Sequence, residues 1–153
     1  MPTSEPAPQL AQARLIAMCL LLVTVGYAVF GTVLVVKHLI PEHGLGEMEG
    51  PSAFLVKTVL LVAGVTTASG SFLQRRVLDG RAPRGPEGFP ARFRNMLVGM
   101  ALAESAGVMG FVVALLTGDT TLPLLLWGVA IAACILHFPT RALLGAQDTA
   151  TYR

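Results

Sequence analysis

The sequence predicts an all-α fold, an integral membrane four-helix bundle made of two hairpins. Three observations carry this reading. The 153 residues are 54% hydrophobic and 13% charged, with a mean hydropathy of +0.67. A soluble domain carries roughly twice that charge. The apolar residues gather in four runs, about residues 15–36, 54–73, 96–116 and 122–138. Nearly all of the 11 Lys and Arg and 9 Asp and Glu fall outside the runs.

At 1.5 Å rise per residue, each of the first three runs spans a hydrocarbon core of about 30 Å. The first exceeds the usual signal-peptide core, and the leader 1–13 before it holds neither Lys nor Arg. It therefore reads as a retained signal anchor. The leader, with Pro2, Pro6 and Pro8 among small polar residues, reads as disordered. Pro41 is expected to end the first helix, and Pro51 and Ser52 to precede the second. Lys57 stands three residues inside the second run, where its stem can snorkel to the headgroups.

Segment 74–94 carries Arg75, Arg76, Arg81, Arg84, Arg92 and Arg94, interrupted by Pro83, Pro86 and Pro90 and by Gly80, Gly85 and Gly88. It reads as an irregular loop. Segment 37–50 holds Glu42, Glu47 and Glu49 against one Lys, and 117–121 holds only Asp119. The positive-inside rule then places the Arg-rich loop and both termini in the cytoplasm, for a multi-pass protein of the inner (plasma) membrane. The six Arg are candidates for contact with anionic lipid headgroups. Gly118 is the expected cap of the third helix. Pro123 falls in the first turn of the fourth, with Trp127 a turn further in as a loose interface anchor. The fourth run is about 17 residues, the short end of the spanning range, and closes at His137-Phe138-Pro139. The domain is expected to cover 14–142, followed by a cytoplasmic tail at 143–153.

Membrane helices associate through small residues and a few polar bonds. In the third run Gly99, Ala103 and Gly107 repeat every four residues, with Ala106, Gly110 and Ala114 as a second row. The second run offers Ala63, Thr67 and Ser71 at the same spacing. These are the expected helix-packing positions.

Between the two rows of the third run stands Glu104, the only charge deep within any run. It lies about ten residues past Arg94, hence about 15 Å in, near the bilayer midplane. A carboxylate there costs a few kcal/mol or more. No run supplies a Lys or Arg at that depth. Glu104 is therefore expected to hold a proton and donate to Thr66, Thr67, Ser69 or Tyr27 on a neighbouring helix. Joining helices is one role for such a group, carrying a proton or ion is another, and recognising a ligand or partner is a third.

Other chemistry is sparse. Cys19 and Cys134 fit no CxxC or Cys/His metal spacing and read as small buried hydrophobes. His38, His43 and His137 lie at run edges and read as solvated interfacial histidines. Catalytic sets, phosphate loops and paired carboxylates are lacking, so the chain reads as non-catalytic, with no cofactor and no metal site. The formal charge of +2 reflects membrane topology and implies no nucleic-acid partner.

Ala101-Leu-Ala-Glu104, followed by a Gly-containing apolar run through Ala114-Leu-Leu116, resembles the carboxylate helix of the proteolipid c subunit of rotary ATP synthases. The resemblance covers about twenty residues and implies that Glu104 binds a proton or ion, while Gly99, Ala103 and Gly107 pack. Helix order differs, since that family carries its carboxylate on the second helix of a hairpin. The chain also resembles small four-helix bacterial membrane proteins with an Ala-Leu-x-Glu third helix, a Thr-Gly-Asp turn and a terminal Phe-Pro. The expectation is a membrane protein that assembles with itself or with a larger membrane complex through its third helix. The alternative is a proton- or ion-translocating component using Glu104.

Overall fold

The computed structural model describes residues 6–47, 50–83 and 86–140. They form α1 (Pro6–Val36), α2 (Gly50–Arg81), a single 3-10 turn (Pro86–Gly88), α3 (Phe89–Thr117) and α4 (Thr121–Leu136), with no strand among them. The fold is the all-α four-helix bundle expected. Helices α1, α2 and α3 are long and apolar enough to cross a membrane, whereas α4 is a shorter apolar helix of 16 residues.

Two boundaries differ from the expectation. α1 begins at Pro6, so residues 6–13 of the expected disordered leader are helical, with Pro in the first turn, where its missing N–H costs nothing. α2 runs on to Arg81, eight residues past the expected end, so Arg75, Arg76 and Arg81 lie on a helix. Loop charge reports topology, not conformation, and Gln, Arg and Leu are good helix formers. An i,i+4 pair between Arg75 Nε and Asp79 Oδ2, at 3.5 Å, supports this last stretch. Pro90 sits in the first turn of α3 instead of breaking the chain. Arg84, Glu49 and the tail 143–153 lie outside the described residues.

The helix ends are closed by local backbone geometry. α1 stops before Pro41. His38 adopts a left-handed φ of 53°, His38 N–H donates to Val35 O at 3.0 Å, and Leu39 N–H donates to Leu34 O at 3.0 Å. These are the paired bonds of a Schellman cap, with His38 where glycine usually stands. Gly118 caps α3 at φ 65°, its N–H on Ala114 O at 3.0 Å. A Cβ on Gly118 would lie 2.6 Å from Glu42 O. Leu45 N–H donates to Leu115 O at 2.8 Å, so the α1–α2 loop lies over the end of α3. This is called the turn end below. The opposite end, at the α2–α3 connection, is called the Arg-rich end.

α3 is the axis of the bundle and packs against each of the other three helices, while α1 and α2 barely meet. α1 therefore packs on α3 and α4 instead of closing a hairpin against α2. The core is built largely of small residues and sulfur: Ala17, Met96, Met100, Ala103, Ala133 and Cys134 form one cluster, and Ala68, Ala106 and Ala130 another. Small side chains let backbones approach closely, which is how helices associate where hydrophobic exclusion cannot act. Large apolar side chains such as Leu15, Leu22, Phe54 and Leu73 point outward.

Candidate functional site

Gly99, Ala103, Gly107 and Gly110 are all buried. A Cβ on Gly107 would meet Thr24 Cγ2 at 3.2 Å, and one on Gly110 would meet Trp127 Nε1 at 3.0 Å. Both rows are thus occupied by α1, α2 and α4 of the same chain. On α2 the buried row is Gly64, Ala68, Ser71 and Arg75. Of the expected Ala63, Thr67 and Ser71, only Ser71 is fully buried, because the helix is rotated by about one residue from that reading. Trp127 is 1% exposed and its Nε1–H donates to Gly107 O at 3.1 Å, so it is a core residue and not an interface anchor. Cys19 is exposed, contrary to expectation, and Cys134 is buried.

Glu104 lies on the border between the buried strip of α3 (Met100, Ala103, Gly107) and its outward strip (Ala101, Val108). One turn pair away on the same face, Phe111 packs on Tyr27 and Phe30 of α1 at ring separations of 5.9 and 6.1 Å. The Glu104 carboxyl is half-buried beside the α1–α3 seam and has no hydrogen-bond partner among the described residues. None of the expected acceptors is bonded to it. Thr67 donates to Gly64 O at 3.0 Å, Tyr27 faces Phe111, and Thr66 and Ser69 are exposed.

The strongest polar constellation is at the Arg-rich end, and sequence reasoning missed it. His137, expected to be solvated, is 0% exposed. Its Nδ1 is 2.7 Å from Arg75 Nη1, its Nε2 is 2.8 Å from Ser71 Oγ, and Phe72 stacks on it at 4.6 Å. Gly99 leaves room for the ring, since a Cβ there would come within 3.2 Å of it. Arg75, expected at the headgroups, is 7% exposed and reaches Asp79, which also accepts from Asn95 Nδ2 at 3.1 Å.

The hydrogen-bond directions follow from the donors. Guanidinium can only donate, so His137 Nδ1 must carry a lone pair. A neutral ring then bears its proton on Nε2 and donates to Ser71 Oγ. Ser71 in turn donates to Ala68 O at 2.6 Å. The chain Asp79–Arg75–His137–Ser71 joins the last turns of α2 to the end of α4 with every direction assigned. Arg75 Nη2 remains buried without a partner. The legible signal was Ser71, Arg75 and Asp79 at spacings of four, one face of one helix.

Of the other predicted headgroup residues, Arg76, Arg81 and Arg94 are exposed at this end. Arg92 is half-buried and its Nη1 donates to Pro83 O at 2.8 Å. At the turn end, Lys57 Nζ meets Asp119 Oδ2 at 2.9 Å, and Asp119 Oδ1 accepts from Thr121 N–H at 2.9 Å. Burial alone would push the Asp119 carboxyl up, but the bonds from Lys57 and Thr121 outweigh it and hold the group below the usual range. No three metal-ligating side chains gather among the described residues. No family model, curated protein or solved structure matches the chain.

Proposed function

We propose that the chain is a non-catalytic, multi-pass protein of the inner membrane, with all four helices in the bilayer and both termini cytoplasmic. It assembles with itself or with a larger membrane complex through the Glu104-bearing edge of α3. One observation carries the reading. Glu104 is half-exposed, deep in an apolar helix, and unbonded among the described residues. An unsatisfied carboxyl in hydrocarbon costs a few kcal/mol. A hydrogen-bond partner on a second chain removes most of that cost. The small-residue rows are consumed inside the subunit, which moves the docking edge from Gly99, Ala103 and Gly107 to the α1–α3 seam beside them.

Native mass spectrometry in detergent tests this. The unaltered protein is expected to appear as an oligomer or complex. Glu104→Gln should keep it, since an amide still donates, and Glu104→Leu should lose it. A protein that is monomeric and binds nothing would sink the reading. The same unbonded carboxyl supports a second reading, proton or ion translocation at Glu104. Under that reading Glu104→Gln abolishes flux in proteoliposomes while assembly survives, and no flux in the unaltered protein excludes it.

A further inference from the structure

We propose a specific phospholipid site at the turn end, built from Lys57 and Asp119, that takes a zwitterionic headgroup bearing a primary ammonium. Between α2 and the start of α4 lies an open hollow of about 300 Å³. Its walls are largely apolar, with Phe54, Leu61 and Leu122 among them, and Lys57 and Asp119 also line it. The pair is joined at 2.9 Å, and each side chain keeps about a third of its surface exposed (30% and 29%). The hollow sits near the end of the bundle, where an apolar segment gives way to a polar turn.

Chemistry selects the occupant. The pair has one positive and one negative group and no net charge. An ammonium carries three donors, and Asp119 uses only one of those on Lys57, which leaves two for phosphate oxygens. Asp119 Oδ1 accepts from Thr121 N–H and Oδ2 from Lys57 Nζ, which leaves each oxygen a further lone pair to accept from a second ammonium. A headgroup with a phosphodiester beside a primary amine meets both groups with opposite charges, and its acyl chain lies in the apolar hollow. An anionic headgroup satisfies Lys57 but is repelled by Asp119. A quaternary ammonium offers Asp119 no N–H. Both should bind less well.

The full-length protein is incubated in detergent with an equimolar mixture of phosphatidylethanolamine, phosphatidylcholine and phosphatidylglycerol of matched chains, and retained lipid is read by native mass spectrometry. Phosphatidylethanolamine is expected to dominate. Asp119→Asn should reduce its preference over the other two by about fivefold, the scale of one exposed ion pair. Leu61→Trp fills the hollow while leaving both charges, and should remove retention with the helical circular dichroism unchanged. Equal retention of the three lipids, dominance of phosphatidylglycerol, or undiminished retention in Leu61→Trp would each overturn the site.

Discussion

Replacing His137 with Leu removes the acceptor of a buried guanidinium and the donor of a buried hydroxyl in one step. The ring is 0% exposed and its two bonds are 2.7 and 2.8 Å long. A hydrogen bond to a charged group contributes about 1.5–3 kcal/mol, and the neutral bond to Ser71 about 1 kcal/mol. Arg75 would then keep only Asp79, at 3.5 Å, with Nη2 already lacking an acceptor. The expected loss is about 3–4 kcal/mol, within the range for stripping one partner from a buried charge. Replacing both groups, as in Arg75→Met with His137→Leu, leaves apolar surface against apolar surface and should restore most of it. The coupling energy of the cycle is then about 2 kcal/mol or more. Reversible unfolding in mixed micelles with dodecyl sulfate supplies the free energies, read by fluorescence of Trp127, the only Trp in the chain. A His137→Leu protein within about 0.5 kcal/mol of the unaltered one, or a double variant that merely sums the two losses, would refute the assigned hydrogen-bond chain.

Gly110→Ala places a methyl group 3.0 Å from Trp127 Nε1 and 3.2 Å from Pro123 O. Trp127 is pinned by its bond to Gly107, so overpacking should exceed the helix-propensity gain and cost about 1–2 kcal/mol net. Gly128→Ala meets open space and should be neutral or slightly stabilising in the same unfolding assay, and equal effects at the two positions would contradict the packing. The Lys57–Asp119 tie has a pH signature. The folded carboxyl is held below its unfolded value of about 3.9, so its stabilisation is complete above that pH and fades as pH falls through the folded value. A loss of about 0.5–1 kcal/mol on acidification below about pH 4, absent in Asp119→Asn, is expected from parallel unfolding titrations, and an identical acid profile for the two proteins would remove the tie.

Much of the architecture was legible because a bilayer imposes it residue by residue. Long apolar runs must become helices there, since no water satisfies an exposed backbone. The Gly99, Ala103, Gly107 and Gly110 positions were legible for a related reason, as close helix packing demands small side chains at spacings of four. The extent of α2 was not. Loop charge at 74–81 speaks to topology, while the conformation was decided by helix propensity and by the Arg75–Asp79 pair. His137 and Trp127 were misplaced at the surface because burial of an amphipathic ring depends on which helices surround it, and that is a non-local fact.

Residue types along the chain determined by themselves that the protein is a bundle of apolar helices, that α3 is rich in packing surface, and that Glu104 is the only charge deep within its apolar run. Only the tertiary structure decided that α3 is the axis between α1 and α2, that its small rows are consumed within the subunit, and that Glu104 is left half-exposed at the α1–α3 seam. It alone joined Asp79, Arg75, His137 and Ser71, residues up to 66 positions apart. Composition and periodicity set which face of a helix can be buried. Which partner buries it, and so which polar groups find one another, depends on the packing of all four helices at once.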